Sequence, residues 1–285
     1  MKRYIQEYLM LTLPRTEQNA SYHQKIITNT LLKNVEKKQT LERQCTMQIQ
    51  PLEYSDFEVR LNVENLKMQL DSTLKKQENL SVAIAGTLEK VRLRMNSNGL
   101  FTELLNYEEI LEKWYRIKPK LLTEFKGNAF ITYMKSIERK IEDPQGLLHD
   151  MRQYRNYGLF FNELLTEHSN VATKSSTRER HIDSLFYERS MTFEETVLFD
   201  KTENGLDTLS FQGTLKDGLT PSEVPVKRMA LLTLDANAVF ALKHYRGTYQ
   251  FQTETGLLEQ MNVSIATGFG ENYSKQQLYN LKRTN

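Results

Sequence analysis

The chain holds a single cysteine, Cys45, so no disulfide can close within it, and neither a CxxC redox pair nor a cysteine-rich zinc site is available. Long apolar runs are absent as well; none approaches the ~18 residues of a membrane span. The N-terminal MKRYIQEYLMLTLP puts two basic residues ahead of an apolar stretch. That stretch is short, carries Gln6 and Glu7, and lacks a small-residue cleavage site. The expectation is a protein that is cytoplasmic as written, or one of the cell envelope if an export signal has been removed. An excess of one charge is also missing. With 38 basic and 36 acidic side chains, the formal charge of +2 leaves no concentrated basic face for nucleic acid.

The common catalytic signatures are lacking too. GxxxxGK[ST] and GxGxxG do not occur, and neither do HExxH and GxSxG. The five histidines, His23, His149, His168, His181 and His244, are scattered, with none four residues from another. Glu108-Glu109 and Glu194-Glu195 are adjacent pairs rather than carboxylates converging from distant segments. The first pair falls in the opening turn of a helix, where negative charge offsets the helix dipole. DKTENGLD (residues 200–207) fails the EF-hand spacing and reads as a hairpin. No catalytic residue, metal or cofactor is expected.

What is present is alternation. Cys45 lies in RQCTMQIQPL with Met47 and Ile49, and DFEVRLNVENLKMQL carries Phe57, Val59, Leu61 and Val63 at period two. Such patterns bury one face of an antiparallel sheet. YIQEYLMLTL and KVRLRM read the same way; SYHQKIITNTLL tips towards strand on its Ile and Thr content. NLSVAIAGT reads as a short helical or buried segment. Asn98-Gly99, between KVRLRM and FTELLN, is expected to close a tight hairpin with positive φ at both residues.

After Asn106 the period changes to that of helices. YEEILEKWYRI places Tyr107, Ile110, Leu111, Trp114 and Ile117 on one face, and Pro119 is expected to end or kink that helix. A second helix follows through Phe130, Met134, Ile137 and Ile141. Asp143-Pro144 is an N-cap with proline at the first position, opening a third helix expected to run towards Leu165. Residues 166–180 read as a linker, and KDGLTPSEVP as a loop. Strands return in DSLFYERSMTFEETVLF, DTLSFQGTL, KRMALLTLDANAVFAL, GTYQFQTETGLLEQMNVSIATG and YSKQQLYNLKR. The predicted fold is α+β: a first β-rich half over 1–106, a three-helix insert over 107–166, a linker over 167–182 and a second β-rich half over 183–285. Aligning Gly99 with Gly256 sets VRLRMNSNGLFTELLN over TYQFQTETGLLEQMNV, as two related halves would.

VRLRMNSNGLFTELLNYEEI, preceded by DFEVRLNVENLKMQL, resembles the duplicated β-rich lipoproteins of unknown function from Bacteroidota, which are similar to lipoprotein-carrier half-barrels. Asn98, Gly99, Glu108 and Glu109 match that pattern, and YRGTYQFQTETGLLEQMNV resembles its second copy. The likeness spans about half the chain. It implies no catalytic residues, and the lipoprotein signal and cysteine of the family are not found here.

Three functional readings follow. The first is a non-enzymatic structural or interaction protein that meets a protein partner, or another copy of itself, through sheet and helix surfaces. The second is a carrier of an apolar, lipid-like ligand in a cavity between sheet and helices. The third is a hydrolase built from dispersed carboxylates. For the first two, Trp114, Phe130, Met134, Tyr154, Phe160 and Phe161 are the candidate groove or partner surface.

Overall fold

Period-two alternation becomes strand over most of the chain. The computed structural model describes residues 8–161, 163–169, 176–186, 189–216 and 223–284. The fold is α+β; the described residues form five α-helices, a large antiparallel sheet and a two-stranded ribbon. Two compact units are built from interleaved stretches of chain. One comprises Arg15–His23, Glu42–Glu163 and Thr284–Asn285. The other comprises Met1–Pro14 (described from Tyr8), Gln24–Leu41 and Leu164–Arg283. Two long strands, β2 (Gln18–Leu32) and β3 (Val35–Pro51), contribute to both. Their turn, Lys33-Asn34, has φ of 49° and 64°, the double left-handed turn that matches strand twist.

The first, helical unit orders its strands β6-β5-β4-β3-β2, with β4 at Phe57–Gln69, β5 at Lys90–Met95 and β6 at Phe101–Leu104. Phe57, Val59 and Leu61 stand opposite Met95, Leu93 and Val91, and all six are buried. Cys45, Met47 and Ile49 extend that row on β3. Its helices are α1 (Lys75–Ala85), α2 (Tyr107–Glu124), α3 (Asn128–Ile141) and α4 (Pro144–Met151).

The second, aromatic unit orders its strands β3-β2-β13-β12-β11-β10-β9-β8. Their ranges are β8 Ser176–Phe186, β9 Arg189–Glu203, β10 Leu206–Leu215, β11 Phe240–Gln252, β12 Leu258–Phe269 and β13 Tyr273–Arg283. Beside them lie helix α5 (Glu223–Thr233) and the ribbon of β1 (Tyr8–Met10) and β7 (Glu167–Ser169), paired antiparallel over three residues. DKTENGLD is the β9–β10 hairpin, with φ of 54° at Asn204 and 74° at Gly205.

Several expectations are corrected. Of the two outcomes expected at Pro119, an end to the helix is excluded, because α2 continues to Glu124. Proline costs an interior helix bond, but burial of Leu121 and the Lys118–Glu138 ion pair to α3 hold the last turn in place. The third helix ends at Met151 instead of running to Leu165. A series of turns replaces it: Gly158 sits so close to the Arg152 carbonyl that a Cβ would lie 1.9 Å from its oxygen. KRMALLT, read as strand, is in α5; Lys, Arg, Met, Ala and Leu are all good helix formers, and the apolar run concealed this. At the Asn98-Gly99 turn only Gly99 has positive φ, 88°. The closure comes from Asn96, whose Oδ1 accepts the amides of Asn98 (3.1 Å) and Leu100 (2.9 Å). β7 and the start of β8 lie within the expected linker; residues 170–175, and 217–222 of the expected loop, fall outside the described residues.

Gly256, one of the two aligned glycines, has confined surroundings. Its φ is 62°, and a Cβ there would lie 2.2 Å from the Thr12 carbonyl oxygen. Gly256→Ala is expected to cost about 1–3 kcal/mol for the strained backbone alone. Urea unfolding should show this as a lowered midpoint at constant slope.

Candidate functional site

The six residues singled out in the sequence belong to the helical unit, and the structure brings most of them inside. Trp114, Met134, Tyr154, Phe160 and Phe161 are no more than 2% exposed, and Phe130 is half-buried. Their role as an open partner surface is thereby corrected, because side chains sealed from solvent cannot meet a partner without unfolding part of the unit. Tyr154, Phe160 and Phe161 arrive on turns rather than on a helix. Arg43 of β3 anchors those turns by donating to the carbonyls of Arg155 (3.3 Å) and Asn156, with its guanidinium 4.9 Å from the Tyr157 ring centre. Burial pushes the Tyr157 hydroxyl up to about 12 and the Cys45 thiol up to about 11, so both stay protonated and inert at neutral pH.

Each unit also has an open groove on the polar face of its sheet. In the helical unit a groove of about 630 Å³ is lined by Asn19, Thr46, Gln48, Arg60, Asn62 and Arg92, among others. Two of its charges are paired: Arg60 Nε and Arg92 Nε both donate to Glu58 Oε1 at 2.8 Å. The groove of the aromatic unit, about 640 Å³, sets hydroxyls and amides from Thr196, Ser210, Gln212, Thr248 and Asn262, beside Arg246, around a largely apolar surface to which Leu198, Phe211, Val263 and Leu278 contribute. The first groove's lining pairs no nucleophile with a base; at the second, Ser264 Oγ lies 2.7 Å from His244 Nε2, with no carboxylate in the lining.

Unusual chemistry lies on the opposite, buried face of the aromatic unit. Phe193, Val197 and Phe199 of β9 face Leu215, Phe211 and Leu209 of β10. Tyr245, Tyr249 and Phe251 follow on β11 and Met261, Val263 and Ile265 on β12. Glu195, fully buried, sits in the middle of this row. Arg178 Nε donates to its Oε2 at 2.6 Å, Arg180 Nε stands 3.5 Å from Oε1, and the Tyr245 hydroxyl donates to Oε1. Gly213 makes the last bond feasible. It stands opposite Glu195, and a Cβ on it would fall 1.9 Å from the Tyr245 ring. Phe193 and Phe211 then pack edge-on to Tyr245 at 5.1 and 5.5 Å. Burial pushes the Glu195 carboxyl upward, but Arg178, Arg180 and the tyrosine together hold it below the ordinary value of 4.5.

A leucine-rich strap accompanies this face. Leu9, Leu11, Leu13, Leu164 and Leu165 are all buried, Leu11 N donates to Thr166 O at 3.0 Å, and β7 lies against β9. His168 of β7 is 2% exposed, with Nε2–H donating to Leu164 O at 2.7 Å. Burial lowers its pKa from 6.5, and the nearby Arg178 lowers it further. The sequence reading set His168 aside as a loop residue, and Glu195 as half of an adjacent pair. The available signal was Glu195 at an inward position of FEETVLF, in phase with Phe193 and Val197.

Glu195→Gln is expected to destabilise the chain by about 3–5 kcal/mol, because it leaves buried guanidiniums without their counter-charge. Tyr245→Phe should lose less, about 1.5–3 kcal/mol for a hydrogen bond to a charged group; chemical denaturation gives both. His168 adds a pH dependence. The unfolded chain takes up the imidazole proton first, so His168 leaves stability intact above the ordinary 6.5 and erodes it as pH falls below. The urea midpoint should therefore fall more between pH ~7 and ~5.5 in the unsubstituted chain than in His168→Gln.

No protein-family model matches the chain, and no curated protein matches it. It is similar to a solved structure described as showing lipid–protein interactions in lipovitellin, with TM-score 0.44 and 8% identity over 96% of this chain and 25% of that one. It is also similar to a domain described as outer membrane lipoprotein-sorting from Vibrio parahaemolyticus, with TM-score 0.13 and 10% identity over 92% and 86%. The chain thus spans about a quarter of the lipovitellin chain's length. Both scores are too low to carry an argument, and the functional reading rests on this chain's own geometry.

Proposed function

We propose that the chain is a non-catalytic binder of an apolar, lipid-like ligand, held against the buried face of the aromatic unit. One observation carries this. A broad floor of aromatic and aliphatic side chains is accompanied by a strap whose two strands, among the described residues, pair from Tyr8–Ser169 to Met10–Glu167. A ribbon of two strands has little stability of its own and opens at lower cost than long strands within a wide sheet. An acyl chain that replaces the strap's leucines on the floor keeps the aromatic side chains out of water, so the exchange is nearly neutral in apolar area. The floor offers no nucleophile–base pair, and the Glu195 cluster is consumed in internal pairing.

Native mass spectrometry of protein purified without detergent, with organic extraction in parallel, is expected to show an acyl-chain species bound one to one. A delipidated sample should take up a fluorescent fatty acid, and Phe199→Asp, which places a charge in the floor, should abolish uptake. Leu122→Asp, an exposed change on α2, serves as the control. Failure of the unsubstituted chain to hold or take up any apolar ligand would overturn the reading.

A further inference from the structure

The exposed aliphatic side chains are not spread evenly. Among the described residues, four large hydrophobic side chains are at least 75% exposed: Tyr54, Leu231, Leu234 and Val239. Three of them fall within nine residues, and Leu232, 41% exposed, lies among them. The segment is well held from beneath. Met229 and Thr233 of α5 are each 2% exposed, Thr233 O accepts from Asn272 Nδ2 at 3.3 Å, and Asp235 Oδ1 caps the following turn by accepting Asn237 N at 3.1 Å. Leu234 stands in the left-handed region at φ 60° with 81% of its surface in water. A leucine there bears both backbone strain and an exposed apolar surface, a combination that persists where an outside contact compensates for it.

Helical spacing puts basic residues among these leucines. Lys227 and Arg228, both exposed, precede Leu231 by four and three residues and share its outward face. Lys227 pairs with Glu223 at 3.1 Å, with the two side chains 76% and 86% exposed, a surface pair readily exchanged for another anion. Leucines projecting between basic residues, on an anchored helix end, have the chemistry of an interface between anionic headgroups and acyl chains. Four aliphatic side chains offer less than the ~800 Å² per partner of a stable protein interface. We propose that the end of α5 and the turn after it dock on a bilayer surface rich in anionic phospholipid. This goes beyond ligand binding in the aromatic unit and does not depend on it.

The test is flotation of the full chain with vesicles of phosphatidylcholine alone or mixed with phosphatidylglycerol. The chain is expected to float with the mixed vesicles and to do so more weakly as salt rises. Lys227→Gln/Arg228→Gln should weaken binding about fivefold for each charge removed, and only on the mixed vesicles. Leu231→Glu/Leu234→Glu should abolish it on both, with circular dichroism and urea midpoint unchanged because the sites are exposed. Absence of binding by the unsubstituted chain, or binding indifferent to the leucine substitutions, would overturn the proposal. So would a dimer in light scattering that the leucine variant dissociates while vesicles go unbound, which would assign the patch to a second copy. Vesicle binding by a chain that takes up no fatty acid would leave this inference standing and remove only the ligand-binding function.

Discussion

An antiparallel strand shows its side chains in two rows, and where one row is apolar it must find cover. The long strands of both units largely follow that constraint: most inward positions carry Cys, Met, Val, Leu, Phe and Tyr, with Gln24, Glu195, Asp207 and Thr267 as buried polar exceptions, while outward ones are mostly polar. The two units meet the need for cover differently. In the helical unit, amphipathic helices and an arginine-anchored set of turns bring Trp114, Tyr154, Phe160 and Phe161 to the interior. In the aromatic unit the accompanying material is a short ribbon, a few leucines and α5. That difference is why the proposed apolar ligand is assigned to the aromatic unit.

Glu195 constrains the same face further. A carboxylate in the middle of an aromatic floor is tolerable only with charge and hydrogen bonds brought to it. Arg178 and Arg180 come from the adjacent strand, and Tyr245 comes across the width of β10 through the space left by Gly213. A second glycine–aromatic pair, Gly247 beneath Phe211, has the same logic; a Cβ on Gly247 would fall 2.4 Å from that ring. Glycine in a strand weakens it, yet here it sets which aromatic lies where. Burial, and Arg178 nearby, lower the pKa of His168 in the ribbon.

The sheet and its inward rows were legible in the sequence because side-chain alternation is a local, period-two property. Asp143 as a helix cap was legible for a similar reason: its side chain accepts Gln145 N at 3.1 Å, a contact within three residues. α5 was misread, and whether α2 would end at Pro119 was left open, because both outcomes depend on what packs against them. Leu121 and Glu138 outweigh the cost of a proline, and the exposed leucines of α5 have no periodic partner that could reveal a helix.

By itself, then, the sequence determined the class of fold, the inward row of its most regularly alternating strands, and the impossibility of a disulfide within the chain. Only the tertiary structure decided that the six aromatic-stripe residues are mostly interior and that Glu195 and Tyr245, fifty positions apart, share a hydrogen bond. It also decided that the apolar exposure collects after α5. The physical reason is range: alternation and capping act within a few residues of chain, whereas burial, charge pairing and exposure depend on which distant segments fold against them.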